Sequence, residues 1–210
     1  MKLHDFNPAP NGQRVRIFMA EKGIDVPIME VALRDWAQFE EPFLSMNPFS
    51  VVPVLELDDG TFIGESVAIC RYLEDLHPDP SLMGRDSKER AVIQMWDRRM
   101  ELDGYLPVMH ALRNAIPNFE GRVLPGTRND LPQHPEITQR GKDALLILLA
   151  RMDDQLANNR FIAGENFSIA DITAHQMIRL AERIEVSIPE NLTNVARWFA
   201  EVDARPSLLA

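Results

Sequence analysis

The stretch SVVPVLELDDGTFIGES, Ser50 to Ser66, permits few local structures. Pro53 has no amide hydrogen, and within sheets proline is confined to strand starts, edges and bulges. Residues 52–57, VPVLEL, therefore read as a strand that begins at its proline. Asp58-Asp59-Gly60 makes a tight turn, and residues 61–63, TFI, return as the hairpin partner. Ser66 is then placed to cap a helix that runs to His77, where Pro78 and Pro80 stop it. The Val52–Pro53 bond admits two arrangements. A trans bond starts an edge strand and leads on this bond alone, because only about 5–6% of X-Pro bonds are cis. A cis bond would bend the chain so that the N–H and C=O of Val52 face outward, open to an extended peptide added as a short strand.

The mouth of the helix at Ser66 carries a second possibility. Its N–H groups and dipole suit a carboxylate, and the neighbouring Glu65 suits an ammonium. A carboxylate site beside an ammonium site is what the α-amino-acid end of a ligand requires. The plainer reading is a capping serine beside a solvated glutamate.

The rest of the first 80 residues alternates in character. Residues 2–6 form a weak strand, and 12–22 a helix with Val15, Phe18 and Met19 on one face, ended by Gly23. Residues 26–33 read as a strand and 36–46 as a short helix. The order β-α-β-α-β-β-α predicts a sheet with helices on its faces. The segment HPDPSLMGRDS at 77–87 then reads as a linker. Beyond it the pattern is helical: 87–115 with a kink at Pro107, a proline-rich loop at 117–135, then helices over 137–156, from Ser168, and over 191–203. Ser168 and Asp171 have the spacing of a capping box, a folding role. The chain thus divides into an α/β domain (1–80), a linker (81–87) and an all-α domain (88–210).

A net charge of −10 and a pI near 5.0 argue against nucleic-acid binding and against attachment to anionic membranes. An acidic protein that takes an anionic ligand must do so with local donors. The single cysteine, Cys70, excludes an intrachain disulfide and reads as a core residue among Ile69, Tyr72 and Leu73. His4, His77, His110, His134 and His175 lack metal-ligand spacing, so no metal is expected. Asp5 and Pro8 interrupt any signal peptide, and the longest apolar run, ALLILLA at 144–150, is too short to span a bilayer. A soluble, cytoplasmic protein is the expectation.

Four segments, RVRIFMAEKGI, NPFSVVPVLELDDG, ESVAICRYLE and FIAGENFSIADI, occur in an order and spacing that resemble the glutathione transferase family across essentially the whole chain. The resemblance implies a thioredoxin-like N-terminal domain followed by a helical bundle, and detoxifying conjugation of glutathione, the substrate, to an electrophile. Carried over by position, Val52 and Pro53 would meet the cysteinyl backbone of glutathione, and Glu65 and Ser66 the γ-glutamyl ammonium and carboxylate. For the glycyl end many relatives place Lys or Gln just before the Val-Pro pair. Here that residue is Val51, and Arg34 or Gln38 is the substitute the resemblance leaves.

Many relatives also hold the glutathione sulfur with a Tyr, Ser or Cys at the first helix. This chain has Ala9-Pro10-Asn11-Gly12, similar to an atypical bacterial and yeast-type subgroup without that hydroxyl or thiol. Asn11 is the catalytic candidate, by side chain or backbone, against a plain N-cap role. The helix dipole, worth about 0.3–1 kcal/mol, lowers a thiol pKa by less than about one unit. Weak or selective catalysis follows. Tyr105, His110, Arg113 and Asn114 on the second domain are candidates for the electrophile site, against a solvated helix face. Phe49 resembles an aromatic key that enters a second subunit, so a homodimer is implied, against packing under its own loop. The same binding groups would also serve a glutathione-dependent disulfide reductase, peroxidase or isomerase. A non-catalytic regulatory member is the rival from another class, favoured by Ala9 and Val51.

Overall fold

The computed structural model describes residues 1–209. They form two units, Met1–Pro80 with Pro125–Arg128, and Ser81–Leu124 with Asn129–Leu209. In the first, β1 (Lys2–Asp5), α1 (Pro10–Lys22), β2 (Ile28–Glu30), α2 (Phe43–Met46), β3 (Val54–Glu56), β4 (Phe62–Ile63) and α3 (Ser66–Leu76) follow in order. The sheet runs β2-β1-β3-β4, with β1 parallel to β2 and antiparallel to β3. Val54 and Leu55, adjacent on β3 and so facing opposite sides, are both fully buried. Both faces of the sheet are therefore covered. This is the α/β unit the sequence predicts, and the second unit, with five α-helices among the described residues, matches the all-α expectation.

The hairpin also forms as read, pairing Leu55 with Ile63 and Glu56 with Phe62, and its turn puts Gly60 at φ 85°. Two elements differ. The helix expected over 36–46 is cut short: Trp36 adopts φ 66°, turns of 3₁₀ helix flank it, and α2 starts only after Pro42. A left-handed residue and a proline without an N–H leave no continuous ladder there. The strand expected over 26–33 is confined to the exposed edge at Ile28–Glu30.

One packing constraint sets where α1 begins. Gly12 lies over the Asp5 carboxylate so closely that an added Cβ would fall 1.8 Å from Oδ1. Asp5 is buried and paired with Arg16, whose Nη2 also donates to the Asn7 carbonyl at 2.6 Å. Burial raises the Asp5 pKa, and the Arg16 charge opposes that rise. This strap fixes the loop between β1 and α1.

The second unit contains α4 (Ser87–Met100), α5 (Leu106–Ala115), α6 (Pro135–Leu156), α7 (Ile169–Glu182) and α8 (Thr193–Asp203). The bend predicted at Pro107 is taken up one turn earlier, in a π-helical turn at Glu101–Tyr105. Pro107 has no N–H to offer the preceding turn, and the widened turn absorbs the loss. The segment read as a linker packs here: Leu82 and Met83 are buried, and the Leu82 carbonyl accepts from Ile169 N–H at 3.0 Å. The Ser168–Asp171 capping box is present, and Asp171 does more than cap. Its carboxylate also accepts from Ile162 N–H at 2.9 Å and Trp198 Nε1 at 2.8 Å. Four donors do not outweigh complete burial, and the Asp171 pKa rises to about 6.

Two predictions follow from this packing. Gly12→Ala should cost about 1–3 kcal/mol, the usual range for overpacking, read as a lower urea midpoint; an unchanged midpoint would show that Asp5 moves aside freely. For Asp171, a folded pKa above the unfolded value means that its stabilising contribution is complete below about pH 4 and is lost as pH rises through about 6. The window corresponds to about 3 kcal/mol. Urea unfolding between pH 4 and 7 should therefore show the advantage of the native chain over Asp171→Asn narrowing with rising pH, and a widening gap would contradict the assignment.

Candidate glutathione site

The Val52–Pro53 bond is cis. The Val52 side chain is buried in an apolar cluster with Val31, Phe43 and Val54, against which Ala9 and Phe6 also pack. Its main chain is not used: among the described residues neither the N–H nor the C=O of Val52 has a hydrogen-bond partner. A main-chain edge thus ends β3 with one donor and one acceptor unspent. Extending the Leu55–Ile63 register by two residues sets Pro53 opposite Glu65. The loop before this edge is braced by buried Asn47, which donates to the Val51 carbonyl at 2.8 Å and accepts from Phe49 N–H at 3.1 Å. Gly126 packs over the same loop, where a Cβ would fall 2.0 Å from the Phe49 carbonyl.

At the start of α3 the roles of two residues exchange. The sequence reading makes Ser66 the N-cap, but the N-cap is Glu65 and Ser66 is the first helical residue. Glu65 is exposed and held at φ 62°, ψ 117°, a strained conformation for a side chain-bearing residue. Ser66 is 3% exposed, and its Oγ accepts from Nη1 of Arg14 at 2.7 Å. Arg14, 2% exposed, was not picked out by sequence reasoning. A signal was available: Arg14 lies between Asn11 and the apolar Val15 and Phe18 on the inner face of α1, where a cation is an exception that asks for a reason.

The start of α1 carries a second correction. Ala9 is its N-cap and Pro10 its first residue, so Asn11 is not a cap. The Oδ1 of Asn11 instead lies 3.5 Å from Nη1 of Arg14. No side chain caps the helix, which leaves its positive end for an anion. Ala9, at the place where relatives carry a hydroxyl or thiol, contributes only apolar contact.

The two glycyl-end candidates differ in kind. Gln38 is 8% exposed, and its Oε1 is buried without a partner. Arg34 is exposed, with its guanidinium 5.9 Å from the Phe6 ring.

On the helical unit the four candidates do not form one group. Tyr105 is buried in the π-helical turn. His110 faces a cleft of about 210 Å³ lined also by Leu102, Leu106, Ile137, Arg140 and Ala144. Burial lowers its pKa, helped by the charges of Arg113 and Arg140. Arg113 turns instead toward Phe119, its guanidinium 4.8 Å from the ring. Asn114 ties α5 to the start of α6: its Nδ2 donates to the His110 carbonyl at 2.8 Å and its Oδ1 accepts from His134 N–H at 2.9 Å. Its amide is engaged in joining helices. Phe49 is 75% exposed at the tip of its braced loop.

Among the described residues no helix is long and apolar enough to cross a membrane, and no cluster of His, Cys, Asp or Glu is disposed to hold a metal ion. Comparison with known proteins adds a family. Residues 9–76 match the model of the glutathione S-transferase N-terminal domain, and residues 115–206 that of its C-terminal domain. Glutathione S-transferase 2 of Saccharomyces cerevisiae is 33% identical over 99% of this chain and 88% of its own length. Maleylacetoacetate isomerase of Rattus norvegicus is 32% identical over 83% of this chain and 75% of its own. The crystal structure of Gtt2 from Saccharomyces cerevisiae superposes with a TM-score of 0.89 at 33% identity, covering 100% of this chain and 99% of that one. The fold, both family models and this near-complete overlap together establish that the chain belongs to the glutathione S-transferase family, of the atypical yeast and bacterial type.

Proposed function

We propose that the protein binds glutathione along the Val52 edge and promotes attack of its thiolate on a small electrophile. The observation that carries this is the set at the start of α3. An exposed acid, Glu65, is held in a strained conformation beside a hydroxyl already bound to a buried arginine. Strain of this kind persists where the surroundings impose it, and it clusters at ligand sites. Glu65 takes the ammonium of the γ-glutamyl head, and Ser66 with Arg14 takes its carboxylate. Val52 then pairs with the cysteinyl main chain as an added strand. That seat directs the sulfur to the uncapped start of α1, where Asn11 and the helix dipole favour the thiolate. Gln38, buried and with an unspent amide oxygen, suits the glycyl end, and its amide can present nitrogen as well as oxygen. Arg34 would add charge from the surface. On this reading the electrophile meets the helical unit at the cleft that His110 faces.

A glutathione-dependent isomerase is the second reading. It uses the same seat, and the similarity to the rat isomerase favours it.

The protein also forms a homodimer on this reading. Phe49 projects from a loop braced on both sides and is its anchor in a second copy.

Calorimetric titration with reduced glutathione tests the seat. Glu65→Ala should weaken binding about 10–100-fold, the loss of one charge-assisted contact, whereas equal affinity in both proteins, or none in either, would refute it. Glu65→Gly should bind as weakly yet unfold at higher urea, because glycine relieves the strained backbone; reduced stability would show that Glu65 is there for the fold. Light scattering should find Phe49→Ser monomeric at concentrations where the native chain is a dimer, and an unchanged mass would exclude Phe49 as the anchor.

A further inference from the structure

A segment between α5 and α6 crosses into the first unit. Pro125–Arg128 belongs with Met1–Pro80, although Leu124 and Asn129 on either side belong with the helices. Gly126 sets the crossing: its φ is 65°, and a Cβ there would fall 2.0 Å from the Phe49 carbonyl oxygen and 3.0 Å from Val51 Cγ1. Glycine suits a left-handed backbone laid against another main chain. Two residues on, at most about 7 Å along the backbone, Arg128 holds its guanidinium carbon 4.6 Å from the centre of the Trp36 ring. Trp36 itself sits at φ 66°, an outlier for a bulky residue, and such strain gathers at ligand clamps.

The Arg128 side chain is exposed, and among the described residues no hydrogen bond or ion pair engages it. The indole attracts and holds the cation, while the N–H fork that matches a carboxylate stays unspent. Its place beside the Val52 edge gives it a task. A peptide pairing antiparallel with β3, its head at Glu65 opposite Pro53, runs its C-terminal end past Val51. Val51 offers only an apolar side chain there, and its carbonyl already accepts from Asn47 at 2.8 Å. Gln38 follows Ala37, which packs on the Val52 cluster, and its buried Oε1 is unspent, but it is neutral. Arg34 is a cation farther from its ring, 5.9 Å from that of Phe6. Arg128 is the charge held in place at the Val51 side, by Gly126 on the loop and by Trp36 under the guanidinium.

We infer that Arg128 takes the glycyl carboxylate of the tripeptide and makes the seat selective for peptides whose C-terminal carboxyl is free. This rests on the glutathione reading above and names which form of the thiol the site admits. Glutathione blocked at that carboxyl keeps the same head and cysteinyl main chain but brings no anion to the fork. No bond forms or breaks at Arg128; it positions and selects. An exposed ion pair contributes little unless it is held and bidentate, so the preference is about three- to tenfold.

Calorimetric titration of the native chain, Arg128→Gln and Arg128→Lys with reduced glutathione and with its glycyl monoethyl ester tests this. The native chain should bind glutathione about three- to tenfold more tightly than the ester. In Arg128→Gln the glutathione affinity should fall to that of the ester. The ester affinity should not change, which also shows the fold intact, and Arg128→Lys should keep part of the preference. An unchanged ratio in Arg128→Gln, or an equal loss for both ligands, overturns the proposal; if Glu65→Ala still weakens both ligands, the seat itself stands. A preference that depends on Arg128, with no conjugation of 1-chloro-2,4-dinitrobenzene, would keep the clamp and reject the transferase. Binding of neither ligand by the native chain would refute seat and clamp together.

Discussion

The hydrogen bond from the buried Arg14 guanidinium to Ser66 Oγ joins the first turns of α1 and α3, and the site depends on it. Each helix carries a positive end. One end is set beside the strained Glu65 and the other beside Asn11. Arg14 reaches both, through Ser66 and through the Oδ1 of Asn11. A buried charge of this kind is expensive to leave unpaired, which ties the positions of the two helices to each other. The Asp5–Arg16 pair beneath Gly12 then fixes α1 against the sheet from below. The start of α1 is thus tied both to α3 and to the sheet.

On the transferase reading, this frame serves in place of a hydroxyl or thiol at Ala9. Orientation of the sulfur and a partial helix charge are what the first unit offers, and both are modest beside a direct hydrogen bond to the thiolate.

Much of the fold was legible in the sequence because its signals were local. Pro53, the Asp58–Gly60 turn and the prolines after His77 marked the ends of elements, and Ser168 with Asp171 marked a helix start. Val52, Glu65 and Ser66 could be named for the same reason: they flank those boundaries. What failed depended on backbone states or distant partners. Left-handed Trp36 helped break a helix in which only Pro42 gave warning. Glu65 took the cap position from Ser66 because it adopts a conformation that side chains ordinarily avoid. Arg14 meets Ser66, a partner 52 positions away, and the Asn114 Oδ1 is taken by the His134 N–H, 20 positions on. Spacing along one helix put His110, Arg113 and Asn114 on a common face, but each is turned by a different neighbour.

The most direct measurement is a crystal structure of the protein with reduced glutathione. The cysteinyl main chain should pair antiparallel with Val52, the γ-glutamyl ammonium should meet Glu65, and its carboxylate should lie on Ser66 Oγ and Arg14. A tripeptide bound elsewhere, or lying along the edge in the opposite sense with its glycyl end at Glu65, would contradict the account.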